Sequence, residues 1–154
     1  MSGRNTPADG SDSDAGGPVR GDTRDRRRER PAQDDWFGSL SQLDFDIDFF
    51  EGLLARNGDS VEVLRVLAEL VSQKGLVKRA LELDRRLVDV LPNDFLARYN
   101  LACSLARAGR PDEAIDALSR AILLGYDDLA HLEVDPDLDS LREHPEFREL
   151  LGHE

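Results

Sequence analysis

The sequence predicts an all-α fold built as a helical-hairpin repeat, with capping helices at its N- and C-terminal ends. Three observations carry this. Two copies of one pattern fill residues 61–128, the second starting 34 residues after the first. Leu67, Ala68, Gly75, Ala80 and Leu81 return at that offset as Leu101, Ala102, Gly109, Ala114 and Ile115, and a fixed period of this size marks a helical array. The composition agrees, since 40% of residues are hydrophobic but only 6% aromatic. That suits a core of Leu, Ala and Val between helices better than a sheet.

Residues 1–35 form the first segment, rich in Gly, Asp, Ser, Pro and Arg and nearly without apolar residues. Such a segment cannot bury enough surface to offset an ordering entropy of roughly 1–2 kcal/mol per residue, so a disordered tail is expected. Arg24–Arg30 (RDRRRER) is its one basic run, an electrostatic handle for nucleic acid or an anionic membrane on one reading. On the other reading it is a solvated tail held loosely by the acidic body.

Residues 36–60 form an N-terminal capping helix, running from about Asp44 to Arg56. Phe45, Phe49 and Leu53, with Phe50 and Leu54, recur at i and i+4 as an amphipathic stripe. Asp44, Asp46 and Asp48 suit the positive end of a helix dipole, and Asn57-Gly58 ends the helix. Phe50 and Leu53 precede Asp84 and Leu87 by 34, so this helix is half a repeat. Trp36 and Phe37 are expected to pack on it.

Residues 61–94 are the first full repeat. Asp59 with Glu62 reads as a capping box, Gly75 as a left-handed helix end, and Pro92 as the stop of the second helix. Residues 95–128 are the second. Asn93-Asp94 opens its first helix, Gly109 closes it, and Pro111 with Asp112 and Glu113 starts the next. Ala68, Ala80, Ala102, Ala114 and Ala121 fall where antiparallel helices approach closely. A larger side chain there would cost roughly 1–3 kcal/mol of overpacking.

These glycines, alanines and prolines resemble the tetratricopeptide repeat family, copy two more closely, through Tyr99-Asn100-Leu101-Ala102, Ala108-Gly109-Arg110-Pro111-Asp112-Glu113-Ala114 and Ala121. The resemblance covers residues 44 to about 151. Leu64 and Arg98 stand where the family carries a large aromatic, and Gly125-Tyr126 replaces its terminal proline in copy two. The resemblance implies a right-handed superhelix whose first helices line a concave peptide-binding groove. By that resemblance the groove shows Glu62, Arg65, Val66, Glu69 and Gln73 from copy one, with Leu96, Tyr99, Asn100, Cys103 and Arg107 from copy two. Arg65 and Asn100 match two positions of the clamp by which some members hold chaperone tails. Glu69 replaces an asparagine of that clamp and a third first-helix is missing, which argues against that ligand.

Residues 129–154 break the repeat. Short helices are expected over Leu129–Glu133, Leu138–Glu143 and Pro145–Leu151, with Leu138, Leu141, Phe147, Leu150 and Leu151 covering the open end. This ending also looks like one seen after bacterial tetratricopeptide arrays. Asp135, Asp137, Asp139 and Glu146 match the carboxylate spacing of a calcium loop, but Ser140 takes the place of the turn glycine and Pro136 and Pro145 interrupt the segment. Aspartates capping short helices account for the same residues.

Charge and chemistry narrow the function. Residues 36–154 hold 13 basic against 24 acidic groups, which argues against nucleic-acid binding by the folded part and favours basic partners. Cys103 is the single cysteine, so no internal disulfide forms. No apolar run approaches the roughly 20 residues of a membrane span. No apolar segment follows Arg26–Arg28, so no signal peptide is expected and the cytoplasm is the default location. Arginine far outnumbers lysine, a hint of a GC-rich bacterial genome. His131, His144 and His153 have no metal-site spacing with Cys103, and no phosphate loop or nucleophile elbow occurs. The expected function is a non-enzymatic scaffold or adaptor that holds a protein or peptide, with no metal or cofactor. The sequence leaves oligomeric state and partner identity open.

Overall fold

The computed structural model describes the backbone of residues 31–153 and the side chains of residues 42–153. Of the disordered tail expected over residues 1–35, residues 1–30 lie outside these limits and residues 31–35 are helical. The basic handle expected at Arg24–Arg30 and the packing expected of the Trp36 and Phe37 side chains also lie outside them. Residues 38–154 form one compact unit.

Helix α1 spans Pro31–Arg56, followed by α2 (Val61–Gln73), α3 (Val77–Val90), α4 (Phe95–Arg107) and α5 (Pro111–Leu123). The C-terminal segment adds α6 (Leu129–Val134), a 3₁₀ helix (Pro136–Leu141) and α7 (Pro145–Leu150). There is no strand among the described residues. Helix α2 packs on α3, α3 on α4 and α4 on α5, the serial pattern of stacked hairpins.

The period is written into the helix ends. Gly75 takes φ 82° and Gly109 takes φ 74°, the left-handed conformation that glycine enters without steric cost. At each, two backbone bonds close the helix: Gly75 N donates to Ser72 O at 3.0 Å and Leu76 N to Val71 O at 2.9 Å. Gly109 N to Ala106 O at 3.1 Å and Arg110 N to Leu105 O at 3.0 Å repeat the pair 34 residues on. This double bond reverses the chain within two residues and makes consecutive helices antiparallel neighbours. Ala102, Ala114 and Ala121 are then wholly buried at the crossings, together with Leu64, Leu67, Leu83 and Leu118.

Three expectations change at the N-terminal end. Helix α1 starts at Pro31, not near Asp44, so Asp44, Asp46 and Asp48 lie mid-helix rather than at the dipole's positive end. Asp44 instead pairs with Lys74 across to the end of α2. The buried stripe of α1 is Ile47 and Leu54, flanked by Leu43 and Phe50, whereas Phe45 and Phe49 face outward at 63% and 53% exposure. The reason is register. Ile47 and Leu54 sit 34 residues before Leu81 and Val88, which are buried too, so α1 presents the face that a second helix of the repeat presents. Arg79 of α3 fastens it, with Nε to Glu51 Oε1 at 2.8 Å and Nη2 to Glu51 Oε2 at 2.7 Å. The third change is the cap of α2, which is Ser60, accepting from Val63 N at 3.5 Å, and not Asp59 with Glu62.

At the other end Leu132, Leu138, Leu141 and Phe147 are buried to 1% exposure or less. They cover α4 and α5 through the 3₁₀ helix and α7. Arg142 holds this cap to itself, donating to Asp135 O at 2.9 Å and to Glu133 O. No helix among the described residues is long and apolar enough to cross a membrane.

Candidate interaction groove

Helices α2 and α4 lie side by side as the first helices of the two repeats. Asp94 caps α4, its Oδ1 accepting from Ala97 N at 2.9 Å. Its Oδ2 takes Arg65 Nη2 of α2 at 3.0 Å. One carboxylate thus caps α4 and also meets α2 through Arg65. Between the two helices, and floored by α3, is a concavity of about 200 Å³.

Of the residues expected in the groove, Arg65, Glu69, Asn100, Cys103, Arg107 and Leu96 line this concavity. Glu62, Val66 and Gln73 are exposed on α2 but outside its lining. Gln73 reaches it indirectly, its Nε2 donating to Glu69 Oε1 at 3.1 Å. Tyr99 is the correction. It is buried, not displayed, because Tyr126 stacks on it with centroids 4.8 Å apart and planes 5° from parallel. Its phenol donates to Asp135. Tyr126 therefore draws Tyr99 into the core. Burial and the Asp135 carboxylate push the Tyr99 hydroxyl well above the ordinary phenol range.

Three polar residues that the sequence analysis did not place in the groove also line it: Asp84, Ser104 and Asp137. Asp84 stands in the apolar column of α3, between Leu83 and Leu87, at 6% exposure. Ser104 Oγ donates to its Oδ2 at 2.5 Å. Burial pushes its pKa up to about 6, opposed by the Ser104 bond and assisted by the nearby Glu69 charge. A signal was present: at the same column position the half repeat carries Phe50 and copy two carries Leu118. A lone aspartate in a column of large apolar residues asks for a reason. Asp137 arrives from the 3₁₀ helix, and burial with the neighbouring Asp135 charge raises its pKa.

Arg107 closes one end of the groove. Its guanidinium donates to the Ser72 hydroxyl and, at 3.4 Å, to Ser72 O, and its Nε lies 3.9 Å from Asp137 Oδ1. Cys103 is buried, and burial together with the Asp135 charge pushes its thiol up, so the nucleophilic thiolate is suppressed.

Cys103, Asp135 and Asp137 bring one sulfur and two carboxylate oxygens within 4.8 Å of one another. Internal bonds already use the Asp135 carboxylate and the Cys103 thiol. Asp135 Oδ1 accepts from Asp137 N at 2.9 Å, while Oδ2 takes the Tyr99 hydroxyl and, at 3.9 Å, the Cys103 thiol. The calcium spacing does not converge, because Asp135 turns inward as the cap of the 3₁₀ helix and Asp139 turns outward onto Arg142 at 2.8 Å. Among the described residues no metal-type cluster includes Asp139 or Glu146.

The fold is that of tetratricopeptide-like helical repeats. MamA MSR-1 C2 has a solved structure that aligns with a TM-score of 0.57 at 24% identity, covering 75% of this chain and 71% of that one. A chloroplastic protein from Arabidopsis thaliana is 31% identical over 105 residues, which are 68% of this chain and 27% of that protein. The chain thus spans about a quarter of that relative's length. No protein-family model matches the sequence.

Proposed function

We propose that this chain is a non-enzymatic interaction module that holds a peptide or partner surface in the groove between α2 and α4. The observation that carries this reading is the concavity itself. Its polar lining is held in place from several elements: Arg107 on Ser72, Asp84 on Ser104, and Arg65 on the cap of α4. Side chains fixed before binding lose little entropy when a partner arrives. The reading is supported by the repeat fold, whose first helices form a concave surface. The candidate nucleophile, Cys103, is buried with its thiol pushed up, which favours binding over catalysis. A groove of two repeats is short, so affinity in the roughly micromolar range of transient interfaces is expected.

Crosslinked co-purification from the native cell, with the wild-type chain and an Arg65→Ala/Asn100→Ala variant, tests the reading. Both residues line the groove and are exposed, so the variant keeps its core. Loss of the captured partner with unchanged helicity supports the groove. Full retention of that partner refutes it.

A further inference from the structure

We infer that the groove recognises a lysine or arginine side chain of the bound peptide, seated between Glu69 and Asp84. This rests on the groove reading proposed above and specifies its chemistry. Asp84 is 6% exposed, yet only its Oδ2 is engaged, by Ser104 at 2.5 Å. Among the described residues no group donates to its Oδ1, and the side chain lines the concavity. Glu69, across the opening on α2, is bonded only by the neutral amide of Gln73. Neither carboxylate has a cationic partner among the described residues.

The two arginines nearby are occupied elsewhere. Arg65 is paired with Asp94 at 3.0 Å, and Arg107 is held on Ser72 beside Asp137. Two carboxylates therefore share a partly desolvated hollow in which neither is bonded to a cation, an arrangement that a guest cation relieves. The volume points the same way. At about 200 Å³ the hollow is smaller than the roughly 300–1,000 Å³ of small-molecule sites. It has room for one long side chain. Asn100 at its edge offers an amide to the peptide backbone. Residues 36–154, with 24 acidic against 13 basic groups, would also draw a basic segment towards the groove.

The test is an NMR titration of the ¹⁵N-labelled full chain with three short peptides identical except for a central arginine, citrulline or glutamate. The arginine peptide is expected to shift the amides around Asp84, Asn100 and Ser104 in a saturable way. Binding of the citrulline peptide, which keeps the shape and loses the charge, should be at least roughly tenfold weaker. Asp84→Asn, and independently the exposed Glu69→Gln, should each weaken the arginine peptide several-fold to about tenfold. Equal binding of the citrulline or glutamate peptide at the same amides overturns the cation inference and leaves the groove reading standing. Shifts confined to residues outside the concave face overturn both. An absence of shifts with all three peptides overturns the inference, and the groove reading then stands or falls on the co-purification experiment.

Discussion

Asp84→Asn isolates the least expected residue of the groove. In the folded chain burial raises the Asp84 pKa from 3.8 to about 6. An acid whose folded pKa is raised holds its proton more tightly when folded than when unfolded. Between the two values the folded state binds more protons, so the contribution of Asp84 to stability falls as pH rises through that window. The difference of 3.8 from about 6, at about 1.4 kcal/mol per unit, sets a full effect of about 3 kcal/mol. Some 2 kcal/mol of that, as a rough figure, falls between about pH 4.5 and about pH 7.5. Asparagine keeps an oxygen for Ser104 and has no charge to desolvate. The stability of Asp84→Asn relative to wild type should therefore rise by about 2 kcal/mol across that interval. Urea unfolding followed by far-ultraviolet circular dichroism, on both proteins at matched pH, reads this difference directly. Groups that do not interact with Asp84 contribute equally to both proteins and cancel. Stability curves that stay parallel across the interval would show Asp84 to be as well solvated as a surface carboxylate, and the account of a desolvated groove floor would be wrong.

Three further outcomes test the frame around the groove. Phe147→Ala, which empties a site only 1% exposed at the C-terminal cap, should cost about 3–5 kcal/mol in urea unfolding. Removal of residues 129–154 should leave low helicity without a cooperative transition, and a sharp melt in that truncation would deny the cap its role. Tyr99→Phe keeps the stack on Tyr126 but removes the donor to buried Asp135. It should cost about 1–2 kcal/mol in the same assay, and an unchanged unfolding midpoint would mean that water replaces the phenol there.

Much of this architecture is local chemistry and therefore legible from residue order. Gly75 and Gly109 adopt the left-handed conformation because no other residue does so at little cost, so their spacing alone places two chain reversals. Ala102 and Ala114 mark close crossings by their size. Asp94 caps α4 because a short acceptor before a helix satisfies its free N–H groups. The groove was half legible. Arg65, Glu69, Asn100 and Arg107 were expected there through the resemblance to the repeat family, and they line the concavity.

Tyr99 shows where periodicity stops. Its spacing puts it next to the groove, but whether an aromatic is displayed or buried depends on what covers it. Here the cover is Tyr126, a residue outside the repeat pattern. Helix α1 shows the same limit: Phe45 and Phe49 form as regular a stripe as Ile47 and Leu54, and both have apolar neighbours at helical spacing. Only the partner surface of α2 and α3 selects which stripe is buried, because hydrophobic burial has no direction of its own.

Residue order was enough to dictate the repeat: its period, its turns and its close-packed alanines. Each of these depends on the conformational preference or size of single residues, which neighbours in space scarcely alter. The chemistry of the hollow arises only from packing. Asp84, Ser104 and Asp137 come from three elements, α3, α4 and the 3₁₀ helix, and no spacing rule links them. Their charge states and partners exist only once the helices have stacked and excluded water from around them, because desolvation is a property of the assembled site rather than of any one residue.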